Sequence, residues 1–311
     1  MLKKILIMLL VTQFAVLSAG CSKSGPSPSG EVTPNQISPI VSEEQQKQIM
    51  NDYQQLIEKP SVQPSEVRAY IDKNIAQVTS QNAVVMVNAL EQVQRKHLTK
   101  LEGEFFNDHA VQEQLQKNFA PGSDLTNLTV VKDQTLKNLL QEIKENGYKI
   151  EIAEGMYYPI IDYSIYQKYD SMLPGDIAAY HNLMAAESNK AAAKDAALVI
   201  GWNEVIQRAL AQEKFLSQYG NSPKAAEVKE LYKRYVFFSF YGANNTPLFD
   251  YETKTFNSEA KSAYEQVVGL DTSSNLLTQL KSYLAVLANN HYKLTDEVNQ
   301  FRKAATDHLT K

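Results

Sequence analysis

The stretch KDAALVIGWNEVIQRALAQEKFLSQYGNSP, residues 194–223, decides the fold class. Val199, Trp202, Ile206, Ala209, Leu210 and Leu216 recur in it at helical spacing, so apolar groups line one side of a helix and polar groups the other. The pattern predicts a helix from Lys194 to Tyr219. Gly220 ends it, Ser222 caps the next helix, and Pro223 takes the first position of that helix, where its missing N–H costs nothing. The second helix runs to about Tyr241. At Val236-Phe237-Phe238-Ser239-Phe240 it turns apolar on every side, which predicts full burial.

Working outward, the same period recurs on both sides. Upstream, Ser42 and Gln45 have capping-box spacing ahead of Ile49, Tyr53, Leu56 and Ile57. Ser65 is expected to cap a second helix carrying Val67, Ile71, Ile75 and Val78. A long third helix covers about Asn82 to Phe106, a fourth about Ala110 to Phe119 behind an Asp108-His109 cap, and a fifth Asp133 to Asn146. Ala120-Pro121-Gly122 ends the fourth, and Gly147 follows the fifth. Pro174 to Glu187 is a further helix with Ile177, Tyr180, His181 and Met184 on its apolar side; His181 reads as a satisfied core histidine. Downstream, a loop over Asn244–Phe256 precedes helices near Ser258–Val268, Ser273–Tyr292 and Thr295–Lys311.

The period changes once. In Tyr148-Lys149-Ile150-Glu151-Ile152 apolar and polar side chains alternate, Glu154-Gly155 turns the chain, and Met156 to Ile161 reads as a returning strand. An isolated hairpin is marginal in water, so this one packs on helices or extends another molecule's sheet. The fold class is therefore mainly α: a helical bundle or array with one small β-hairpin near residues 148–161, in a folded region of 42–311 divisible into 42–146 and 147–311.

Composition agrees. Gly and Pro together make up 23 of 311 residues, about 7% against roughly 12% in average usage, which disfavours turn-dense β architectures. With 31 basic and 35 acidic residues the net charge is −4, which gives no electrostatic reason for a nucleic-acid partner. A single Cys excludes an internal disulfide and is too few for a Cys-based zinc site or an iron–sulfur cluster.

The chain begins with a separate kind of signal. Lys3 and Lys4 precede an apolar run from Ile5 to Leu17, too short to span a bilayer and suited to the core of a signal peptide. Ser18, Ala19 and Gly20 then lead into Cys21. This arrangement resembles the lipobox of bacterial lipoproteins, with Leu17 four residues before the Cys where the commonest form has three. The resemblance implies that residues 1–20 are removed, that Cys21 becomes the N-terminus and carries a thioether-linked diacylglycerol, and that the protein is held on the outer face of the cell membrane. Two acyl chains suffice for stable anchoring. Residues 21–41 read as a tether: 11 of the 19 residues from Ser22 to Ile40 are Ser, Gly or Pro and none is aromatic.

Motifs with chemistry are scarce. The sequence holds no His-Glu-x-x-His, no Gly-rich phosphate loop and no Gly-x-Ser-x-Gly elbow, and no two of its five histidines stand four apart. No catalytic residue, metal ligand or cofactor is assigned. The anomaly is aromatic: Tyr148, Tyr157, Tyr158, Tyr163, Tyr166 and Tyr169 fall within 22 residues, and nine more aromatics lie between Tyr232 and Phe256. With Trp202 they form a shared core, or some of them rim a groove with Glu154, Asp162 and Asp250. In the second reading Tyr157, Tyr158, Asp162, Tyr163 and Trp202 are the ligand-binding candidates, with ring faces that stack a sugar or hold a cationic peptide.

Two broader likenesses complete the reading. Trp202, Ala211, Phe215 and Pro223, around the turn at Tyr219–Pro223, resemble a single tetratricopeptide-type hairpin, with no second unit 34 residues on. Lipobox, tether and helical body, with Glu154–Pro159 and Asn244–Asp250, resemble uncharacterised surface lipoproteins of Gram-positive, Bacillus-like bacteria. Anchor, tether and the lack of a catalytic signature point to a membrane-anchored, extracytoplasmic helical module that binds an envelope protein or a cell-wall component. An envelope hydrolase with an unrecognised site is the alternative.

Overall fold

The computed structural model describes residues 41–119, 127–269 and 273–311, apart from the side chain of Glu104. The signal segment, Cys21, the tether up to residue 40 and the Pro121-Gly122 stop lie outside the described residues. The described chain is mainly α, as the periodicity predicts.

Helix starts follow local chemistry. Helix α1, Glu43–Ile57, opens on Ser42 with both halves of the capping box formed. In α2, Pro64–Asn74, the cap is Gln63 rather than Ser65, because Glu66 reaches back to the Gln63 N–H and Pro64 fills the first turn. Helix α3, Ser80–Asn107, is the central element of the N-terminal half: Met86, Val87 and Leu90 are fully buried, and the buried polar residues Glu91 and Gln94 lie on the same helix. Helices α4, His109–Asn118, and α5, Gln134–Glu145, are capped by Asp108 and Asp133. Gly147 then turns the chain at φ +77°, where a Cβ would stand 2.5 Å from Gln94 Nε2.

The hairpin forms where alternation places it, from β1, Tyr148–Ala153, and β2, Met156–Ile161, paired antiparallel with Ile150 opposite Pro159. It packs on α3. The open edge of β2 is occupied from within: Gln112 of α4 accepts from Tyr157 N at 3.0 Å and donates to Tyr157 O at 2.7 Å, as a neighbouring strand would.

The tyrosine-rich residues Tyr163–Met172 wind as a 3-10 segment against α6, Gly175–Asn189. The chain then departs from the helical expectation. Residues 194–200 are not helix: β3, Ala193–Lys194, and β4, Ala197–Leu198, make a second hairpin, and α7 runs only from Trp202 to Gln218. Helix α8, Ala225–Tyr241, starts two residues past Pro223, with Lys224 in the cap position. The expected loop after it contains a third hairpin, β5, Gly242–Ala243, with β6, Thr246–Pro247. Helices α9, Ser258–Val267, α10, Asn275–Asn289, and α11, Asp296–Thr310, close the fold against α7 and α8.

The extra hairpins owe their existence to each other. Glu154 N donates to Asp195 Oδ1 at 3.0 Å, Asn245 donates from N to Ala196 O at 2.8 Å and from Nδ2 to Asp195 O at 2.7 Å, and Leu198 N donates to Thr246 Oγ1 at 3.1 Å. The three turn tips are thus zipped into one row. Tertiary bonds override the helical propensity of an Ala- and Leu-rich run. Strain is accepted in return: Asp195 and Ala196 hold φ of 49° and 58°, the left-handed region that a Cβ disfavours.

The buried apolar residues fall into two clusters. One runs from Tyr53 to Ala185 and takes in Phe215 and Val228. The other runs from Ala192 to Ala305, and Leu216 and Met184 touch both.

Candidate functional site

The first tyrosine group is closed. Tyr163 OH donates to Glu91 Oε1 at 2.8 Å, as does Tyr180 OH at 3.0 Å. Lys224 Nζ donates to Glu91 Oε2 at 2.6 Å, and Arg95 bridges Glu91 to Glu227, 2.7 Å from each. Burial pushes the Glu91 carboxyl upward, but Lys224, Arg95 and Tyr163 overcome that cost and hold it at about 2. This network joins α3, the 3-10 segment, α6 and the start of α8. Beside it lies His181, fully buried, its ring 4.5 Å from that of Tyr166. The histidine is core, yet neither ring nitrogen has a hydrogen-bond partner among the described residues. Burial lowers it to about 4, against a smaller upward pull from Glu91, so it is neutral at pH 7.

The candidates named from sequence are not brought together. Tyr157 is buried with its hydroxyl on Phe119 O at 2.9 Å, and Tyr163 is buried on Glu91. Neither offers a ring face to a groove. Tyr158 is half-buried beside the exposed Phe106, ring centroids 6.5 Å apart. Asp162 caps the 3-10 segment through Ser164 and pairs with Lys149 at 3.6 Å. Trp202 is buried in the second core cluster.

The second aromatic group is open. The buried stripe of α8 comprises Val228, Leu231, Tyr232, Tyr235, Val236, Ser239 and Phe240. Phe237 and Tyr241, four residues apart, stand to one side of that stripe. Their rings stack 4.8 Å apart and 12° from parallel, and Phe237 is 50% exposed, against the sequence expectation of full burial. Apolarity all round a helix predicts burial only if neighbours cover every side, and here one side borders the third hairpin and its turn. Across from it Tyr251, 63% exposed, is held by a hydrogen bond from its hydroxyl to Asn244 O at 2.8 Å.

Between these rings lies a pocket of about 230 Å³, bordered also by Lys254 of the loop and Arg302 of α11. The Arg302 guanidinium lies 4.4 Å from the centre of the Tyr241 ring, a cation–π contact that holds it flat. Asp250, which the groove reading included, also borders the pocket, with Oδ1 taken up by Glu252 N, Thr253 N and Thr253 Oγ1. Those bonds, Thr253's first, hold its carboxyl below the usual range.

Other features are weaker candidates. A surface depression of about 610 Å³ borders Glu213, whose carboxylate accepts from Ser274 Oγ and Leu276 N at the start of α10. Among the described residues no three His, Cys, Asp or Glu gather where one metal ion could be held, and no helix is long and apolar enough to cross a membrane. Phe237 was visible in sequence only as part of the run 236–240 and as one of nine aromatics between Tyr232 and Phe256. Arg302 carried no signal, because it reaches the pocket from an element more than 60 residues further on. Comparison with protein-family models, curated proteins and solved structures finds no match.

Proposed function

We propose that this chain is a lipoprotein anchored through Cys21 to the outer face of the cell membrane, and that its helical body is a binding module for an envelope component. The anchor half of the reading rests on the lysines, the apolar run, the small residues and the single Cys. The binding half is carried by one observation: Phe237 and Tyr251 keep ring faces in water beside a polar-rimmed pocket. Large aromatic faces left uncovered cost solvation, and such faces recur where a partner covers them.

The anchor is tested by feeding cells a labelled fatty acid: the wild-type chain takes up label and Cys21→Ser does not. An unlabelled wild-type chain overturns it. The binding function is tested on the Cys21→Ser chain, which lacks the lipid. Its retention by the envelope fraction is expected to fall when Phe237 and Tyr251 are both changed to Ala. No retention at all, or retention indifferent to those two residues, counts against the module.

A further inference from the structure

Resting on that reading, we propose that the Phe237–Tyr251 pocket takes a single sugar ring bearing an anionic group, the ring lying on the aromatic faces and the anion on Arg302 and Lys254.

Charge decides against the cationic peptide that aromatic rings alone would also suit. Among the described residues the Arg302 side chain makes one hydrogen bond, from Nε to Asn299 Oδ1 at 2.8 Å, and no ion pair. Its two terminal amino groups therefore remain to grip an oxyanion, the fork geometry that suits carboxylate and phosphate. Lys254 Nζ donates to Tyr251 O at 2.6 Å and likewise has no ion pair among the described residues. The one carboxylate at the pocket, Asp250, has Oδ1 committed to its own turn. Lys254 also acts on the Asp250 carboxylate, and with Arg302 added the pocket lining carries a net charge of +1, which favours an anion over a cation.

Shape and surface favour a sugar over a flat aromatic acid or a bare anion. An aromatic face is negative and attracts the partly positive C–H groups of a saturated ring. The volume, about 230 Å³, lies below the roughly 300–1,000 Å³ of drug-sized sites, which suits one ring. The rim carries Asn244, exposed, whose carbonyl already fixes Tyr251. The pocket is also made in advance. Tyr251 is pinned by its hydroxyl, Arg302 by the Tyr241 ring, and Lys254 by its bond to Tyr251 O, so little ordering is left for the ligand to drive.

The test titrates the full chain in detergent with glucuronate, glucose 6-phosphate, glucose and inorganic phosphate, read by calorimetry or ligand-observed NMR. At least one anionic sugar is expected to bind in the millimolar range, about tenfold or more tighter than glucose. Binding of glucuronate alone identifies a carboxylate-bearing ring; binding of glucose 6-phosphate alone identifies a phosphorylated one. Arg302→Gln is expected to erase the preference over glucose, and Phe237→Ala to weaken every sugar about tenfold or more while leaving the circular dichroism unchanged. Equal affinity for glucose and both anionic sugars, a preference that survives Arg302→Gln, or phosphate binding as tightly as its sugar ester overturns the inference. If neither anionic sugar binds while envelope retention still depends on Phe237 and Tyr251, the ligand assignment fails and the binding module stands. If retention is also indifferent to them, both fail.

Discussion

Two aromatic-rich regions of similar density have opposite fates. In residues 148–169 Tyr158 is half-buried, and the hydroxyls of the buried Tyr148, Tyr157, Tyr163, Tyr166 and Tyr169 all donate to protein acceptors, Gln94 O, Phe119 O, Glu91, Gln94 Oε1 and the exposed Asp72. In residues 232–256, Tyr235, Phe240 and Phe256 are core, but Phe237 and Tyr251 face water. The difference lies in what each segment sits against. The first winds between helices that supply acceptors; the second runs off the end of α8 into a hairpin and a turn that cover only one side. Aromatic density marks neither core nor site, and what packs over each ring separates them.

The largest way to break this contrast is to open the closed region. Glu91→Ala removes the carboxylate that Lys224 and Arg95 share, leaving buried cation unpaired; a loss of about 3–5 kcal/mol is expected in chemical denaturation. Proton uptake is the next test. His181 titrates at about 4 when folded and at 6.5 in its ordinary state, so the unfolded chain binds more protons between those values. Its contribution is intact above pH 6.5 and is lost as pH falls toward 4, about 3 kcal/mol in all. The groups around it are Glu91, Lys224, Tyr166 and Tyr180. A His181→Phe variant is expected to lose this slope and keep the separate loss below pH 4.5 that comes from Glu91, whose carboxyl is held at about 2. An unchanged slope would mean that His181 is not the group.

The open region breaks differently. Gly242, at φ 77° and ψ −155°, occupies backbone space reserved for glycine, and a Cβ there would meet Thr246 O at 2.3 Å. Gly242→Ala is expected to cost about 2–3 kcal/mol and to abolish sugar binding, because it displaces the hairpin that frames the pocket. Phe237→Ala, by contrast, is expected to change stability by less than about 1 kcal/mol, since the ring is 50% exposed. A loss like that of a core Phe would show that the ring is packed in solution. The smallest effect is a gain. Ala196→Gly relieves the left-handed strain at φ 58° and is expected to add about 0.5–1 kcal/mol to thermal stability.

Much of the helical architecture was legible, because long amphipathic stripes and caps such as Ser42, Asp108 and Asp133 are local. The hairpin at 148–161 was legible through its alternation. The hairpins at 193–198 and 242–247 were not: two-residue strands have no period, Asp195-Ala196 lacks the glycine that announces such a turn, and the bonds that hold them come from about 50 residues away. The site was half legible. Its aromatics were flagged as a group, but exposure of Phe237 depends on what the last turn of α8 meets, and Arg302 arrives from a distant helix.

The Glu91 network also sets an order of assembly. A ribosome finishes residue 91 long before residue 224, 133 positions later, and until Lys224 exists Glu91 lacks the ammonium that offsets the cost of its burial. Until then Arg95, four residues on, is the cation that pairs with Glu91. A chain truncated before residue 224 is therefore expected to bury Glu91 at greater cost than the whole protein and to be digested faster by added protease.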